Sequence, residues 1–186
     1  PAMQSSLPVA CCSATAPLDP RDHSPASFMA AAEALGARPE TARRLMSRVI
    51  RDGVCVAGEL KRVHSLPRAV LNNLGDLPRL KMIDVQRSRL DPFVKLTFAT
   101  PDEHVIETVL IPLEKPGAVS LCLSSQIGCP MGCTFCATAT MTSRRNLATW
   151  EIIDQVIQAR EFVHREGRRV TGAVFMGMGE PFLNYD

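Results

Sequence analysis

The chain has 186 residues, of which 46% are hydrophobic, so it is long enough for one large or two small globular domains with buried cores. Its net charge of +2 and its aromatic content of 5% give no overall signature of a nucleic-acid-binding protein. No apolar run approaches the roughly 18 residues of a membrane helix, and the N-terminal stretch lacks the pattern of a secretory signal. These features argue against a membrane role and favour a cytoplasmic location.

Residues 1–24 are predicted to form a disordered tail, because they are rich in Pro, Ser and Ala. Residues 25–78 are predicted to form a small helical domain, with helices from Pro25 to Gly36, from Pro39 to about Asp52 and from Ser65 to Leu74. Basic side chains are concentrated in this part of the chain: Arg43, Arg44, Arg48, Arg51, Lys61, Arg62 and Arg68. Their charge fits either a phosphate-binding patch or an ordinary solvated helix face, and charge alone favours the solvated face.

Residues 79–186 are predicted to hold β-hairpins followed by one βαβ unit. Apolar and polar residues alternate in Leu80 to Ser88, Phe93 to Thr100 and His104 to Ile111, with turn residues between them, which predicts three hairpin-connected strands. Glu107 interrupts the third of these strands. On pattern alone, solvent exposure explains this acid better than a pocket in which it moves protons.

The remaining elements follow in the order of a parallel βαβ unit. Val119 to Leu123 reads as a buried strand, residues 149–164 as an apolar-faced helix capped by Thr149, and Val170 to Met176 as the next strand. A cysteine-containing loop follows the first strand, and the turn Gly177 to Pro181 follows the second. Because ligands bind at the carboxyl ends of parallel strands, both segments are expected to face one site.

The cysteine-containing loop carries Cys129, Cys133 and Cys136, three of the seven cysteines, within eight residues. Such a tight triplet indicates a metal site in a reducing compartment rather than a disulfide framework. Three thiolates can hold three irons of a [4Fe–4S] cluster and leave the fourth iron open to a ligand. A structural zinc site is the alternative, and it needs a fourth ligand such as Cys122.

These features together resemble a known family. The CxxxCxxC spacing after a first strand resembles the radical S-adenosylmethionine (SAM) superfamily. The flanking motifs resemble, more narrowly, the RlmN/Cfr family of RNA methyltransferases. The matching motifs are Glu107–Pro112, Cys122–Cys129, Arg145–Leu147, Glu151–Ile153 and Met176–Pro181.

The resemblance implies a role for each matching residue. Cys129, Cys133 and Cys136 would ligate a [4Fe–4S] cluster, and Gly179 and Glu180 would contact SAM. Glu107 would accept a proton, against the solvent-exposed interpretation, and Cys122 would pair with a methyl-carrying cysteine when the product is released. The fold implied is α/β, a helical accessory domain with β-hairpins followed by the start of a (βα)6 partial barrel that stops after its second strand.

The resemblance also implies a reaction and partners. The reaction would be methylation of carbon 2 of an adenine in 23S ribosomal RNA, and of an adenosine in tRNA, through a methyl-cysteine intermediate. A reductant such as flavodoxin or ferredoxin would supply electrons to a monomeric enzyme, and the basic helices would contact RNA. Because the chain lacks the methyl-accepting cysteine, we expect it to be an N-terminal piece that does not complete the reaction alone.

One departure from the family pattern concerns substrate choice. The family places a Gly-aromatic pair before Arg-Asn-Leu, whereas this chain has Thr142-Ser143-Arg144. The competing hypotheses are a radical-SAM enzyme with another substrate and a non-catalytic module that binds zinc and RNA.

Overall fold

The computed structural model describes residues 18–185, which form a helical N-terminal part and a sheet-containing C-terminal part. The helices of the first part are α1 (Pro25–Ala34), α2 (Pro39–Ile50), α3 (Ala57–Leu60) and α4 (Arg68–Leu74). They enclose a core of their own, built from buried side chains that include Phe28, Leu45, Val49, Leu60, Val70 and Leu74. The predicted helices are therefore present, with the short helix α3 in addition.

Residues 18–24 do not form the disordered tail that the sequence predicted. They contain a 3₁₀ turn, Pro20–Asp22, in which Leu18 and Arg21 are buried. The prediction failed because the partners of these residues lie far along the chain, where local composition gives no sign of them. The rest of the predicted tail, residues 1–17, lies outside the described residues.

A five-stranded mixed sheet forms the second part of the fold. Its strands are β1 (Lys81–Arg87), β2 (Val94–Ala99), β3 (Val105–Pro112), β4 (Ala118–Cys122) and β7 (Arg169–Val174). They lie in the order β1-β2-β3-β4-β7. The first four pair antiparallel, as expected of hairpins, and β4 pairs parallel with β7. The α/β class and the single βαβ unit are thus as predicted.

Helix α5 (Thr149–Arg165) connects β4 to β7 and covers one face of the sheet. Its buried face differs from the predicted one: Ile157 is buried, but Ile152, Ile153 and Val156 are only partly so, and polar Glu151, Asp154 and Gln155 are buried with them. The helix is capped at Ala148 rather than by Thr149, because the Glu151 carboxylate accepts a hydrogen bond from the Ala148 N–H.

Two strands of two residues each escaped the sequence analysis. β5 (Gln126–Ile127) and β6 (Arg145–Asn146) pair antiparallel in a small separate sheet. Strands of this length carry no periodicity that a sequence pattern can reveal. Over the range 18–185, no helix combines the length and the apolar character needed to cross a membrane.

A buried ionic network joins the two parts of the fold. The Arg21 guanidinium, whose side chain is 0% exposed, donates to both Asp19 carboxylate oxygens and to the Pro78 carbonyl, and lies 3.4 Å from Asp154. Asp154, on α5, also accepts from the Leu80 N–H at 2.8 Å. Burial by itself lowers the pKa of Arg21, but its bonds to Asp19 and the charge of Asp154 raise it overall. Residues 18–24 are thus fastened to the end of the helical part and to α5.

Replacing Arg21 by Met is expected to lower the free energy of unfolding by about 3–5 kcal/mol, because Asp19 would remain buried without a counter-charge and Asp154 would keep Arg79, 3.3 Å away, as its ion-pair partner. Urea denaturation measures this loss. Arg51→Met is the control, since Arg51 pairs with Asp52 while its side chain is 75% exposed, and such a surface pair contributes about 0–1 kcal/mol. Equal losses in the two variants would contradict a structural role for the network.

Candidate cofactor site

The three cysteines lie on a loop that is closed at its base by β5 and β6. This loop, which we call the cysteine loop, comprises residues 128–144. At its base Gln126 pairs with Asn146 and Ile127 with Arg145. A Cβ atom at Gly128 would overlap the Ser143 carbonyl, and Gly128 has φ +64°, so the loop begins with a residue that only glycine fills without strain.

The cysteine side chains differ in their surroundings. Cys129 is buried, Cys133 is exposed, and Cys136 is intermediate, with its N–H bonded to the Cys133 carbonyl. Hydrogen bonds from the backbone N–H groups of Thr138 and Ala139 lower the pKa of Cys136, which favours the thiolate form that binds metals. All three thiols are free.

The three thiols are not gathered into a cage. Among residues 18–185, no group of three or more His, Cys, Asp or Glu side chains is arranged to hold a metal ion. The donor set nevertheless fits a cluster by its chemistry: three free thiols on one loop, of which one is stabilised as a thiolate. Protein metal sites commonly take their final shape as the metal binds. In this loop, residues 130–135 are all exposed, so little packing opposes such a rearrangement.

The glycine turn, Gly177–Pro181, packs directly against the segment that leads into the cysteine loop. The Met178 carbonyl accepts from the N–H groups of Ser125 and Gln126, and the Glu180 N–H donates to the Gln126 side chain at 2.8 Å. A Cβ atom on Gly179 would lie 2.7 Å from the Gln126 nitrogen, and one on Gly177 would lie 2.7 Å from the Leu123 carbonyl oxygen. The two glycines are therefore required by this close approach.

Glu107 and Cys122 lie on the face of the sheet opposite α5. Val109 is the partner of Cys122 across β3 and β4, and Glu107 stands two residues from Val109, so the register places Glu107 and Cys122 on one face. Glu107 is half-exposed and forms an ion pair with Lys95 at 2.8 Å. Burial raises the pKa of the Cys122 thiol, although a hydrogen bond from the Met176 N–H acts the other way. Cys122 thus stands apart from the cysteine loop as a neutral thiol.

A buried amide fixes the end of β4, and the sequence analysis did not single it out. Gln155 Oε1 accepts from the Thr108 hydroxyl and the Ser124 N–H, while its Nε2 donates to the Ser124 carbonyl. The Ser124 hydroxyl in turn donates to the Glu107 carbonyl and accepts from the Met178 N–H. The one sign of this role in the sequence is that Gln155 is a polar residue on the otherwise apolar face of a predicted helix, where a buried polar group needs hydrogen-bond partners.

Arg145 clamps the other end of the cysteine loop. Its guanidinium makes paired hydrogen bonds to Asp102, in the turn between β2 and β3, and to Glu151, at the start of α5, all between 2.7 and 2.8 Å. These bonds hold the pKa of Asp102 well below its usual range. Burial lowers the pKa of Arg145, but the bonds to Glu151 and Asp102 raise it overall. β6 is therefore anchored to both the hairpin and the helix.

Several known proteins with similar sequences are named as RNA methyltransferases. No family model matches the chain. A probable RNA methyltransferase of Myxococcus xanthus is 40% identical over 159 residues, 84% of this chain and 43% of the relative. A dual-specificity RNA methyltransferase RlmN of Anaeromyxobacter is 41% identical over 157 residues, 82% of this chain and 41% of the relative.

One solved structure is similar to this chain in both fold and sequence. The radical SAM methyltransferase from Sphaerobacter thermophilus superposes with a TM-score of 0.74 at 32% identity, over 89% of this chain and 48% of that one. The fold is therefore that of a radical SAM methyltransferase. Within that class, the chain belongs to the family of the RlmN-type RNA methyltransferases. It spans about two fifths of the length of these curated relatives.

Replacing Asp102 by Asn is expected to cost about 1 kcal/mol of unfolding free energy at pH 7, because the pair with Arg145 is partly exposed to solvent. The folded-state pKa of Asp102 is depressed, so its contribution is present above the ordinary value of about 4 and is lost as the pH falls through the folded value. Denaturation at pH 7 and pH 3 measures the difference, which should shrink at the lower pH.

The matched control for this variant is Glu103→Gln. It removes an acidic charge from the same turn, and within residues 18–185 Glu103 has no ion-pair partner. A pH-independent effect of Asp102→Asn, or an equal effect of both substitutions, would contradict the clamp.

Proposed function

We propose that this chain supplies the cluster-binding and part of the SAM-binding site of a radical-SAM RNA methyltransferase. The observation that carries the proposal is the contact between the glycine turn and the segment that leads into the cysteine loop, which lie far apart in the sequence. The glycine turn is hydrogen-bonded to Ser125 and Gln126, which lead directly into the cysteine loop. A ligand on the turn would therefore lie beside the loop. The kinship with RlmN-type enzymes supports the same assignment.

The residues divide the work as follows. Cys129, Cys133 and Cys136 would hold a [4Fe–4S] cluster, and that cluster with SAM would supply the methyl group and the one-electron chemistry. The carboxylate of Glu180 is suited to the amino group of SAM. Its Oε1 accepts only the Phe182 N–H at 3.1 Å among residues 18–185, and its side chain is half-buried at the edge of the turn. Gly179 would contact SAM through its backbone, and its lack of a side chain lets the turn lie directly against Gln126.

Two residues on the open face of the sheet would serve the later steps. Glu107 would remove a proton from the ring carbon that is methylated, and Lys95, 2.8 Å away, would hold its carboxylate in position. When the product is released, the Cys122 sulfur would bond to the sulfur of the methyl-carrying cysteine. The bond from that sulfur to the product carbon would break, and the product carbon would keep the electron pair and take up a proton. The raised pKa of Cys122 suits a thiol that stays protonated until that step.

The finer details are part of the same proposal. The substrate would be carbon 2 of an adenine in 23S ribosomal RNA, with tRNA as a second substrate, and the route would pass through a methyl-cysteine. We further propose that the βαβ unit opens a (βα)6 partial barrel, that the protein is a cytoplasmic monomer, and that flavodoxin or ferredoxin reduces it. That the 186 residues complete no methyl transfer alone stays a prediction, which a single-turnover assay with ribosomal RNA tests.

Anaerobic reconstitution with iron and sulfide is expected to give a brown protein whose cluster spectrum changes on addition of SAM. Cys133→Ala should lose most of the bound iron, because two thiolates of the loop do not hold the cluster. Cys55→Ala, which removes a thiol from the helical core instead, should keep it. Iron and zinc analysis is the measurement. A colourless protein with stoichiometric zinc would overturn the proposal in favour of a non-catalytic zinc module.

The basic helical surface is expected to contribute to RNA binding. Arg43, Arg44, Lys61, Arg62 and Arg68 are exposed and, among residues 18–185, without an ion-pair partner. The double variant Arg43→Ala/Arg44→Ala should weaken RNA binding and reduce the slope of log affinity against log salt by about 1–2, since each phosphate contact contributes about 0.7–0.9. Filter binding at several salt concentrations measures the slope. Arg169→Ala, on the exposed strand β7, is the control, and an equal effect there would indicate unspecific charge attraction.

A further inference from the structure

Gln126 lies within the motif Cys122–Cys129, but the family resemblance implied no role for it. It is the first residue of β5, two residues before the cysteine loop begins, and it is 5% exposed. The glycine turn lies on one side of it and β6, which closes the cysteine loop, on the other. Its side chain therefore meets both halves of the proposed site.

Both ends of the Gln126 amide are used. Its Oε1 accepts from the Glu180 N–H at 2.8 Å, and its Nε2 donates to Asn146 Oδ1 at 2.7 Å. The Asn146 amide is itself fixed, because its Nδ2 donates to the Leu183 carbonyl at 3.0 Å. The Gln126 backbone adds a third bond, from its N–H to the Met178 carbonyl at 3.1 Å. The side chain thus works as a strut between the turn and β6.

The Gln126 side chain is also tightly packed against the glycine turn. A Cβ atom on Gly179 would lie 2.5 Å from Gln126 Cβ and 2.8 Å from its Cγ, so the turn rests on the stem of the side chain. Asn184 adds a parallel link, because its Nδ2 donates to the Ser125 carbonyl at 2.8 Å and to the Leu147 carbonyl at 3.0 Å. A displacement of the turn is therefore transmitted to the base of the cysteine loop.

We propose that Gln126 is a positioning residue that couples the SAM-binding turn to the cluster-binding loop. The identity of the two ligands rests on the proposed function. The hydrogen bonds of Gln126 to the turn and to β6 do not depend on it. Gln126 aims the Glu180 backbone and fixes the base of the loop that carries the thiols. Leucine has a similar volume but forms neither bond. Glutamate keeps the acceptor for Glu180 and loses the donor, and Asn146 cannot offer a donor in exchange without giving up its bond to Leu183.

The first test measures the strut without any cofactor. Hydrogen–deuterium exchange of the full chain should show faster exchange in Gln126→Leu, both at the glycine turn and at residues 145–147. In Gln126→Glu the increase should be confined largely to residues 145–147. The control is Gln86→Leu, because the exposed side chain of Gln86 bonds to Asp84 and, among residues 18–185, to no other residue. Unchanged exchange at either segment in Gln126→Leu would overturn the coupling.

The second test uses the chain reconstituted with iron and sulfide and titrated with SAM. Gln126→Leu should keep its iron while the SAM concentration for half-maximal change of the reduced cluster's paramagnetic resonance signal rises about tenfold, as expected for the loss of one buried hydrogen bond. An unchanged SAM response in this variant would overturn the coupling. Failure of the unsubstituted chain to load iron or respond to SAM would instead overturn the proposed function, and the exchange experiment would still decide on the strut.

Discussion

The parallel pairing of β4 with β7 is the constraint on which the rest of the site depends. It brings the end of β4 beside the end of β7 although about fifty residues separate them, and it requires α5 as the crossover. The cysteine loop and the glycine turn therefore leave the sheet at the same edge. The glycine turn lies so close to residues 123–126, which lead into the cysteine loop, that only glycine is accommodated at two positions of the turn. Without this pairing, neither motif would have the other within reach.

Buried polar groups, rather than apolar contacts, position the site on this frame. Gln155 fixes the end of β4 through Ser124, and Ser124 passes the constraint to the Glu107 carbonyl and to the Met178 N–H. Arg145 ties β6 to the β2–β3 turn and to α5. Hydrogen bonds are directional, so they set positions that a hydrophobic contact leaves variable. The cysteine loop itself is largely exposed, but the residues at its two ends are held in place by these hydrogen bonds.

The same logic separates the two chemical regions of the sheet. The thiols that suit a metal lie on the exposed loop, where one of them is stabilised as a thiolate by backbone donors. Cys122 lies on a strand, where burial keeps it neutral. Glu107 shares its face and is balanced by Lys95. Backbone hydrogen bonds thus favour the thiolate form of Cys136, whereas desolvation favours the protonated form of Cys122.

Local patterns in the sequence by themselves determined the helices α1, α2 and α4, the hairpins, the βαβ order and the tight cysteine triplet, because periodicity, turn residues and spacing are written within short stretches. The linked motifs around the triplet were also enough to indicate the family. Only the tertiary structure decided what depends on distant partners. Examples are the burial of Arg21 against Asp154, the two-residue strands, the polar face of α5, and the strut from Gln126 to Glu180 and Asn146. A hydrogen bond between residues far apart in the sequence leaves no periodic trace in either segment, so only the folded chain reveals it.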